Sequence, residues 1–446
     1  MMSPATTKIA PAFLECDEAK TRAGSRSFSI ARLVLVVTLL AAPLAFGAVQ
    51  PWAWASLTSL AVVLLLLWVV GTVQQGTLRI IWSPIYLPAA AFLILGLVQF
   101  LGHFTRDPIA TRESLLKLLT DLIFVFLATQ LFATASDKTW RRFGLAVTLF
   151  AFSLSLFAIL QYFSSHGLIY WSVKTASGCT FGSYVNHNHY AGLMEMLIPI
   201  AGAYVLSRPE EHRGRSLLGF AVLVPIASLL LSGSRGGFIS LSAEALLLGA
   251  ILFRYSPTPL RRSLAVMVTL GITTAGLLFF WMDPGQISKR LATVANLPQN
   301  PEATLAERKT VTQDSLRIFY QHPWTGTGLG SFEIIYPRYQ SLATDLVWDH
   351  AHNDYAEALV ETGLVGGVLI LACLVMFFRL AFKNLTRRLQ REAGWIQLGA
   401  TLGCCGLLVH SFGDFNFHIP ANAAWFAMCA ALGTHSDAIS TGLPSQ

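Results

Sequence analysis

The sequence predicts an all-α polytopic membrane protein with about twelve transmembrane helices and one long external loop containing short helices. Three observations carry that prediction. Apolar residues make up 54% of the chain, charged residues only 12%, and the mean hydropathy is +0.56; a soluble domain has about 25% charged residues. Apolar runs of about 17–25 residues, enough to cross a bilayer, recur along almost the whole length. Lysine and arginine gather in alternate connections between those runs, as they do when one side of a membrane is cytoplasmic.

In chain order, residues 1–27 are polar and mixed in charge and are expected to form a disordered cytoplasmic tail. The first apolar stretch is long and begins late, so no cleavable signal peptide is expected. Residues 28–282 hold nine expected spans, near 28–47, 54–73, 80–102, 116–135, 143–163, 189–206, 216–231, 236–253 and 263–282. Residues 283–354 form the long loop, and residues 355–435 hold three more spans, near 363–382, 395–411 and 420–435, before a short tail at 436–446. The N-terminus and every second connection carry most of the 31 basic residues, among them Arg22, Arg79, Lys138, Arg141, Arg208, Arg254, Lys383 and Arg391. That side is therefore assigned to the cytoplasm, with both termini on it. The net charge of +7 is a signature of topology. A nucleic-acid surface would concentrate its basic residues on one face. The six cysteines show no disulfide framework and no paired metal-ligand spacing.

Polar residues collect at the external ends of the spans. The loop near Arg112 is charged. The next external loop ends in Asn186-His187-Asn188-His189, a cluster at a helix entrance that could hydrogen-bond polyols or simply cap an interfacial helix. The tight turn Leu231-Ser232-Gly233-Ser234-Arg235-Gly236-Gly237 offers Ser232 or Ser234 as N-cap and places Arg235 in the first helical turn. A cation at the positive end of a helix is electrostatically unfavourable. An anion bound there by the free N–H groups and the guanidinium, with Gly236 and Gly237 allowing close approach, would remove the conflict. An arginine reaching for lipid headgroups is the plainer alternative. In the long loop, residues 301–321 have helical periodicity and carry Arg308 and Arg317. His322-Pro323 ends that helix, and the glycine run from Gly326 to Gly330 reads as a tight turn packing the loop onto the membrane domain.

The most polar stretch follows, Trp348-Asp349-His350-Ala351-His352-Asn353-Asp354-Tyr355. Asp354 as N-cap with Glu357 three residues on makes a capping box, opening a short helix that runs to Gly363. His352 lies just before that N-terminus, where the helix dipole favours the neutral imidazole, a form able to accept a proton. A last external turn, His410 to His418, adds Asp414.

These residues resemble a known family. His352-Asn353, nine residues, then Gly363-Leu364-Val365-Gly366 fits the pattern His-(Asn/Ser/Gln)-x9-Gly-x-x-(Gly/Thr/Tyr) of the O-antigen ligase and O-antigen polymerase superfamily. The Ser234–Gly237 turn, the Arg308 helix with its glycine run, and the Asn186–His189 entrance are similar to the same family. Thr312 stands where an aromatic is common. The resemblance implies a C-type glycosyltransferase-like membrane enzyme of cell-envelope and lipopolysaccharide biosynthesis, in the bacterial inner membrane with its active site periplasmic. It implies transfer of a polyprenyl-diphosphate-linked glycan, with inversion, to a hydroxyl on lipid A core, another glycan or a protein. His352 would be the catalytic base, and Arg235 and Arg308 would hold the diphosphate, for which a planar guanidinium fork is suited. Arg317, Asn186, His187, Asn188, His189, Arg112 and Asp414 would be further substrate contacts. Gly236, Gly237, Asn353, Asp354, Gly363 and Gly366 would orient the site. The diphosphate is already a leaving group, so no cofactor and no metal is expected. Two other classes compete. Asp349, His350, His352 and Asp354, with His410, Asp414 and His418, could ligate a metal, as in a membrane metallohydrolase. Twelve spans also suit a transporter of lipid-linked glycans, although transporters place polar groups at the bilayer midplane.

Overall fold

The computed structural model describes residues 11–175, 180–208, 214–255, 271, 305–342 and 348–435. Among them the chain is almost wholly helical: α1 (Pro11–Ala41), α2 (Pro51–Gln75), α3 (Tyr86–Leu101), α4 (Pro108–Ala133), α5 (Asp137–Ser164), α6 (His187–Ser207), α7 (Arg215–Ser232) and α8 (Arg235–Tyr255). After the long loop's α9 (Leu305–Gln321) and α10 (Phe332–Ile335) come α11 (Asp354–Ala381), α12 (Leu385–Arg388), α13 (Glu392–His410) and α14 (Pro420–Gly433). Helix α1 begins inside the stretch expected to be a tail.

Eight of these helices are long and apolar enough to cross a membrane, and α3 and α7 are shorter apolar helices. The protein is a multi-pass membrane protein. The expected spans need adjustment in two places, and the ninth, 263–282, lies outside the described residues apart from 271. The third begins at Tyr86, because Trp82-Ser83-Pro84 interrupts it. There the side-chain amide of Gln130 on α4 satisfies the extended backbone, accepting from the Ile81 N–H at 2.8 Å and donating to its carbonyl at 2.9 Å. The twelfth is α14, 14 residues long, or about 21 Å at 1.5 Å per residue, short of the roughly 30 Å hydrocarbon core. Almost every residue of α14 is buried, so it serves as a core helix that need not span.

Helices α6 and α13 form the centre, with 78% and 83% of their apolar windows buried, whereas α11 has only 17% and turns most of its face outward. Small residues on α13 let its neighbours approach closely: a Cβ on Gly403 would stand 2.7 Å from the Met196 Cα of α6. Such small-residue seams are how membrane helices pack without a hydrophobic driving force. One end of the bundle gathers the starts of α6, α8 and α11 and the end of α13. The other end carries Arg141, Arg208 and Glu392, joined by ion pairs of 3.0 and 3.2 Å.

Candidate active site

Helix α11 is capped by Asn353, whose Oδ1 accepts from the Tyr355 and Ala356 N–H groups, both at 3.1 Å. This corrects the expected capping box on Asp354. With Asn353 at the cap, Glu357 falls one position too late to close a box, and it instead accepts from the Ala351 N–H at 2.8 Å. The helix is interrupted at Gly363, where the short helix is expected to end. Gly363 has φ +63° and ψ −162°, and a Cβ there would meet the Trp324 carbonyl oxygen at 2.4 Å. The break frees the Val360 and Glu361 carbonyls, which accept from Thr327 and Gly328 N–H at 2.9 and 3.0 Å. The glycine run thus docks the loop onto the membrane domain, as expected.

His352 sits two residues before α11 with φ +50°, a left-handed conformation that costs a non-glycine residue of order 1 kcal/mol and recurs at functional sites. Its ring stands edge-on to Trp348, at 5.5 Å between centroids. Its Nδ1 lies 3.5 Å from Asp414 Oδ1, which leaves Nε2 as the nitrogen for a substrate. Asp414 is fully buried and central. His189 Nε2 stands 3.7 Å from Oδ1, and His410 Nε2 stands 3.8 Å from Oδ2. Phe415 packs against the rings of His189, His350 and His352 at 4.7, 4.3 and 4.9 Å, fixing their spacing. Burial works against the Asp414 charge, yet His189, His352 and His410 together hold its carboxyl well below the usual range.

Arg308 reaches this cluster. Its Nη1 donates to the Gly413 carbonyl at 2.7 Å, beside Asp414. The buried Nε of Arg308, Nε1 of Trp348, Nε2 of His189, Nδ1 of His352 and Oδ2 of Asp414 make no hydrogen bond among the described residues. Buried polar atoms are seldom left so, and a group of them facing one place marks a polar ligand or water site. Arg235 lies exposed at the start of α8, with Ser234 as N-cap accepting from the Gly237 N–H at 3.1 Å. The next residue, Gly236, lies against His410, where a Cβ would be 2.3 Å from Nε2.

The entrance residues divide. Asn186 caps α6, accepting from the Asn188 N–H at 2.8 Å. His187 Nδ1 lies 2.7 Å from the Ser232 carbonyl, tying α6 to the α7–α8 turn. Asn188 is buried in the first turn of α6. His189 alone reaches Asp414. Two expected contacts are not brought in. Arg317 is nine residues from Arg308 on α9, hence on the opposite helix face; it pairs with Asp314 at 2.9 Å and is 64% exposed. Arg112 is exposed on α4, and no interaction among the described residues ties it to the cluster. Gly366 lies on α11 one turn past the break.

Beside this cluster is a second one. His350 Nδ1 and His418 Nε2 lie 2.7 and 3.2 Å from Glu357 Oε1, and His418 Nδ1 lies 3.1 Å from Asp354 Oδ1. Burial pulls the His418 imidazole down, but the charges of Glu357 and Asp354 outweigh it and push it up to about 10. His350, Glu357 and His418 are close enough together to ligate a metal. Here His350 Nδ1 is hydrogen-bonded to Glu357 and His418 Nδ1 to Asp354, which makes a clasp between the loop, α11 and the α13–α14 turn.

Sequence reasoning missed Glu195, Asn416 and Asn422, and it gave Glu357 only a capping role. Glu195 accepts from or donates to His410 Nδ1 at 2.7 Å. Asn422 donates to the His189 carbonyl at 2.8 Å and to Asn416 Oδ1 at 2.9 Å. A signal existed for Glu195: an ionisable residue within an apolar span is a functional candidate by default.

Fold and site together define a multi-pass membrane protein with an acid–base cluster and an arginine at one mouth of its bundle. The O-antigen ligase family model matches residues 220–371, so that segment is similar to this family. The match takes in Arg235, Arg308 and the His352–Gly366 pattern, and leaves out His189, Glu195, His410 and Asp414. No curated protein matches the chain.

Proposed function

We propose that the protein transfers a glycan from a polyprenyl diphosphate to an acceptor hydroxyl at the periplasmic face of the bacterial inner membrane, as an O-antigen ligase or surface polysaccharide polymerase. The observation that carries this reading is the His352–Asp414 pair beside Arg308. An imidazole oriented by a buried carboxylate through one nitrogen presents the other as a general base. The acceptor O–H loses its proton to His352 Nε2 as its oxygen bonds to the anomeric carbon. The bond from that carbon to the diphosphate breaks, and its electron pair leaves on the phosphate oxygen. Single displacement inverts the anomeric centre. Arg308, with Arg235 at the start of α8, offsets the charge that grows on the departing diphosphate, the larger contribution in reactions of this kind. No metal is needed for either role.

The acceptor is lipid A core, a growing polysaccharide or a protein. The deciding experiment supplies the purified protein with a lipid-diphosphate-linked oligosaccharide and each acceptor in turn, with and without EDTA. Glycan transfer that persists in EDTA is expected. Zinc-restored activity after EDTA, or hydrolysis of the donor with no transfer to any acceptor, overturns the reading. Deleting the protein in its host then separates the acceptors, since a ligase leaves uncapped lipid A core while polymer is still made, and a polymerase leaves single-repeat products.

A further inference from the structure

We infer that Glu195 and His410, buried behind Asp414, receive the proton that glycan transfer releases. This rests on the reading of His352 as base. The relevant groups lie in one file. His352 Nδ1 faces one oxygen of Asp414 at 3.5 Å, His410 Nε2 faces the other at 3.8 Å, and His410 Nδ1 meets Glu195 Oε1 at 2.7 Å. Asp414 and His410 are each approached on both sides, which is what a relay requires and a terminal hydrogen bond does not. Glu195 and Asp414 are 0% exposed and His410 is 2% exposed. The outer oxygen of Glu195 makes no hydrogen bond among the described residues.

The step balances as a chain of proton hops. The acceptor hydroxyl gives its proton to His352 Nε2. His352 gives its Nδ1 proton to Asp414 Oδ1, rotation of the carboxyl group turns that proton toward His410 Nε2, which takes it, and His410 gives its Nδ1 proton to Glu195. Each imidazole returns to a neutral tautomer and Asp414 to carboxylate, with the net proton on Glu195. The two longer gaps must close by less than an ångström or be bridged by water. Charge is costly within a membrane span, so a carboxylate there is a fitting terminus for a proton. The other charged or titratable groups facing this pair are Glu244 on α8, which acts on Glu195, and Arg308 on α9, which acts on His410. The Ser240 hydroxyl also faces Glu195. Glu244 has no hydrogen bond to either oxygen among the described residues. Bound substrates cover His352 Nε2 from solvent, and the file gives the proton a route that does not cross them.

The test is the pH profile of transfer in the Glu195→Gln variant, which keeps a hydrogen-bond partner for His410 but cannot hold the proton. The expected result is a kcat lower by about 10–100-fold near neutral pH, an unchanged KM for the lipid-linked donor, and a deficit that shrinks as rising pH lets solvent base take the proton from His352. A Glu195→Gln kcat and pH profile equal to wild type overturns the inference. If that variant does not insert, His410→Gln interrupts the file one step earlier and must show the same pH-dependent deficit. Infrared difference spectra of the wild-type protein during turnover must also show a buried carboxyl group gaining a proton. No such band, or a wild-type profile in His410→Gln, also overturns the inference. Loss of transfer in His352→Ala with normal Glu195→Gln sinks this inference alone, whereas normal transfer in His352→Ala sinks the reading beneath it.

Discussion

At the Arg141 end of the bundle, Glu392 receives Arg141 at 3.0 Å and Arg208 at 3.2 Å, and Arg391 lies 3.5 Å from Asp137. The Arg141 and Arg391 side chains are about half exposed. At the His352 end, Asp414 is fully buried and stands 3.5–3.8 Å from three imidazoles, near polar atoms that make no hydrogen bond among the described residues. The first arrangement is nearly closed: opposite charges meet, water screens Arg141 and Arg391, and the buried Nε of Arg208 is the atom left without a hydrogen bond among the described residues. The second is incomplete without a further polar group. Both ends are rich in ionisable residues, so charge density alone does not locate function. Burial combined with unspent hydrogen-bonding capacity does.

The comparison can be broken most forcefully at His352. Replacing it with alanine should lower kcat for glycan transfer by about 10²–10⁴-fold while the protein still inserts; assays of the purified variant with a lipid-linked donor measure this. Retained transfer would reduce His352 to an interfacial histidine. Next comes Arg308→Lys, which keeps the charge but loses the planar fork. We expect weakened donor binding and a rate loss of roughly tenfold or more, read from KM and kcat together. Near-normal donor binding would show that the fork is not used. Gly236→Ala should follow, because its Cβ would stand 2.3 Å from His410 Nε2 and push that ring off Asp414. A lower kcat with unchanged detergent-solubilised yield is the expected result.

Smaller still is the pH dependence set by His418. Its folded-state value, about 10, lies above the unfolded value of about 6.5. The stabilisation it brings is therefore fully present below about pH 6.5 and is lost as pH rises through 10. Because the ring is 30% exposed, solvent softens the effect. Thermal unfolding should fall modestly over that window in the wild type and more flatly in His418→Gln. Last, Arg141→Ala should cost at most about 1 kcal/mol and leave transfer untouched. Loss of activity there would erase the contrast between the two ends.

Much of this was legible in the sequence. Hydropathy gave the spans because lipid demands continuous apolar helix, and the pattern from His352 to Gly366 located the central residue and the break. Arg308 and Asp414 were named, and both reach the site. The sequence could not separate Arg308 from Arg317, since only the docking of α9 decides which face looks inward. Nor could it show that Asp414 faces His352. The two are 62 positions apart in the chain and meet only because Asp354 N–H binds the Ser411 carbonyl at 3.0 Å, joining the start of α11 to the end of α13. The capping box failed by one residue: Asn353 is as good a cap as Asp354, and composition does not choose between them.

The interruption of α11 at Gly363 has a consequence for how the protein can vary. The loop is seated there by main-chain groups, Thr327, Gly328, Leu364 and Val365 donating to carbonyls across the joint. Two side chains join that seam: the Gln99 amide donates to the Thr325 and Glu361 carbonyls and accepts from the Leu329 N–H, and the Glu361 carboxylate accepts from the Phe332 N–H. The loop can therefore diverge widely in sequence, and with it the surface offered to different glycans, while the joint and the placement of Arg308 persist. The glycines that let the two backbones touch, together with Gln99 and Glu361, are held fixed by it.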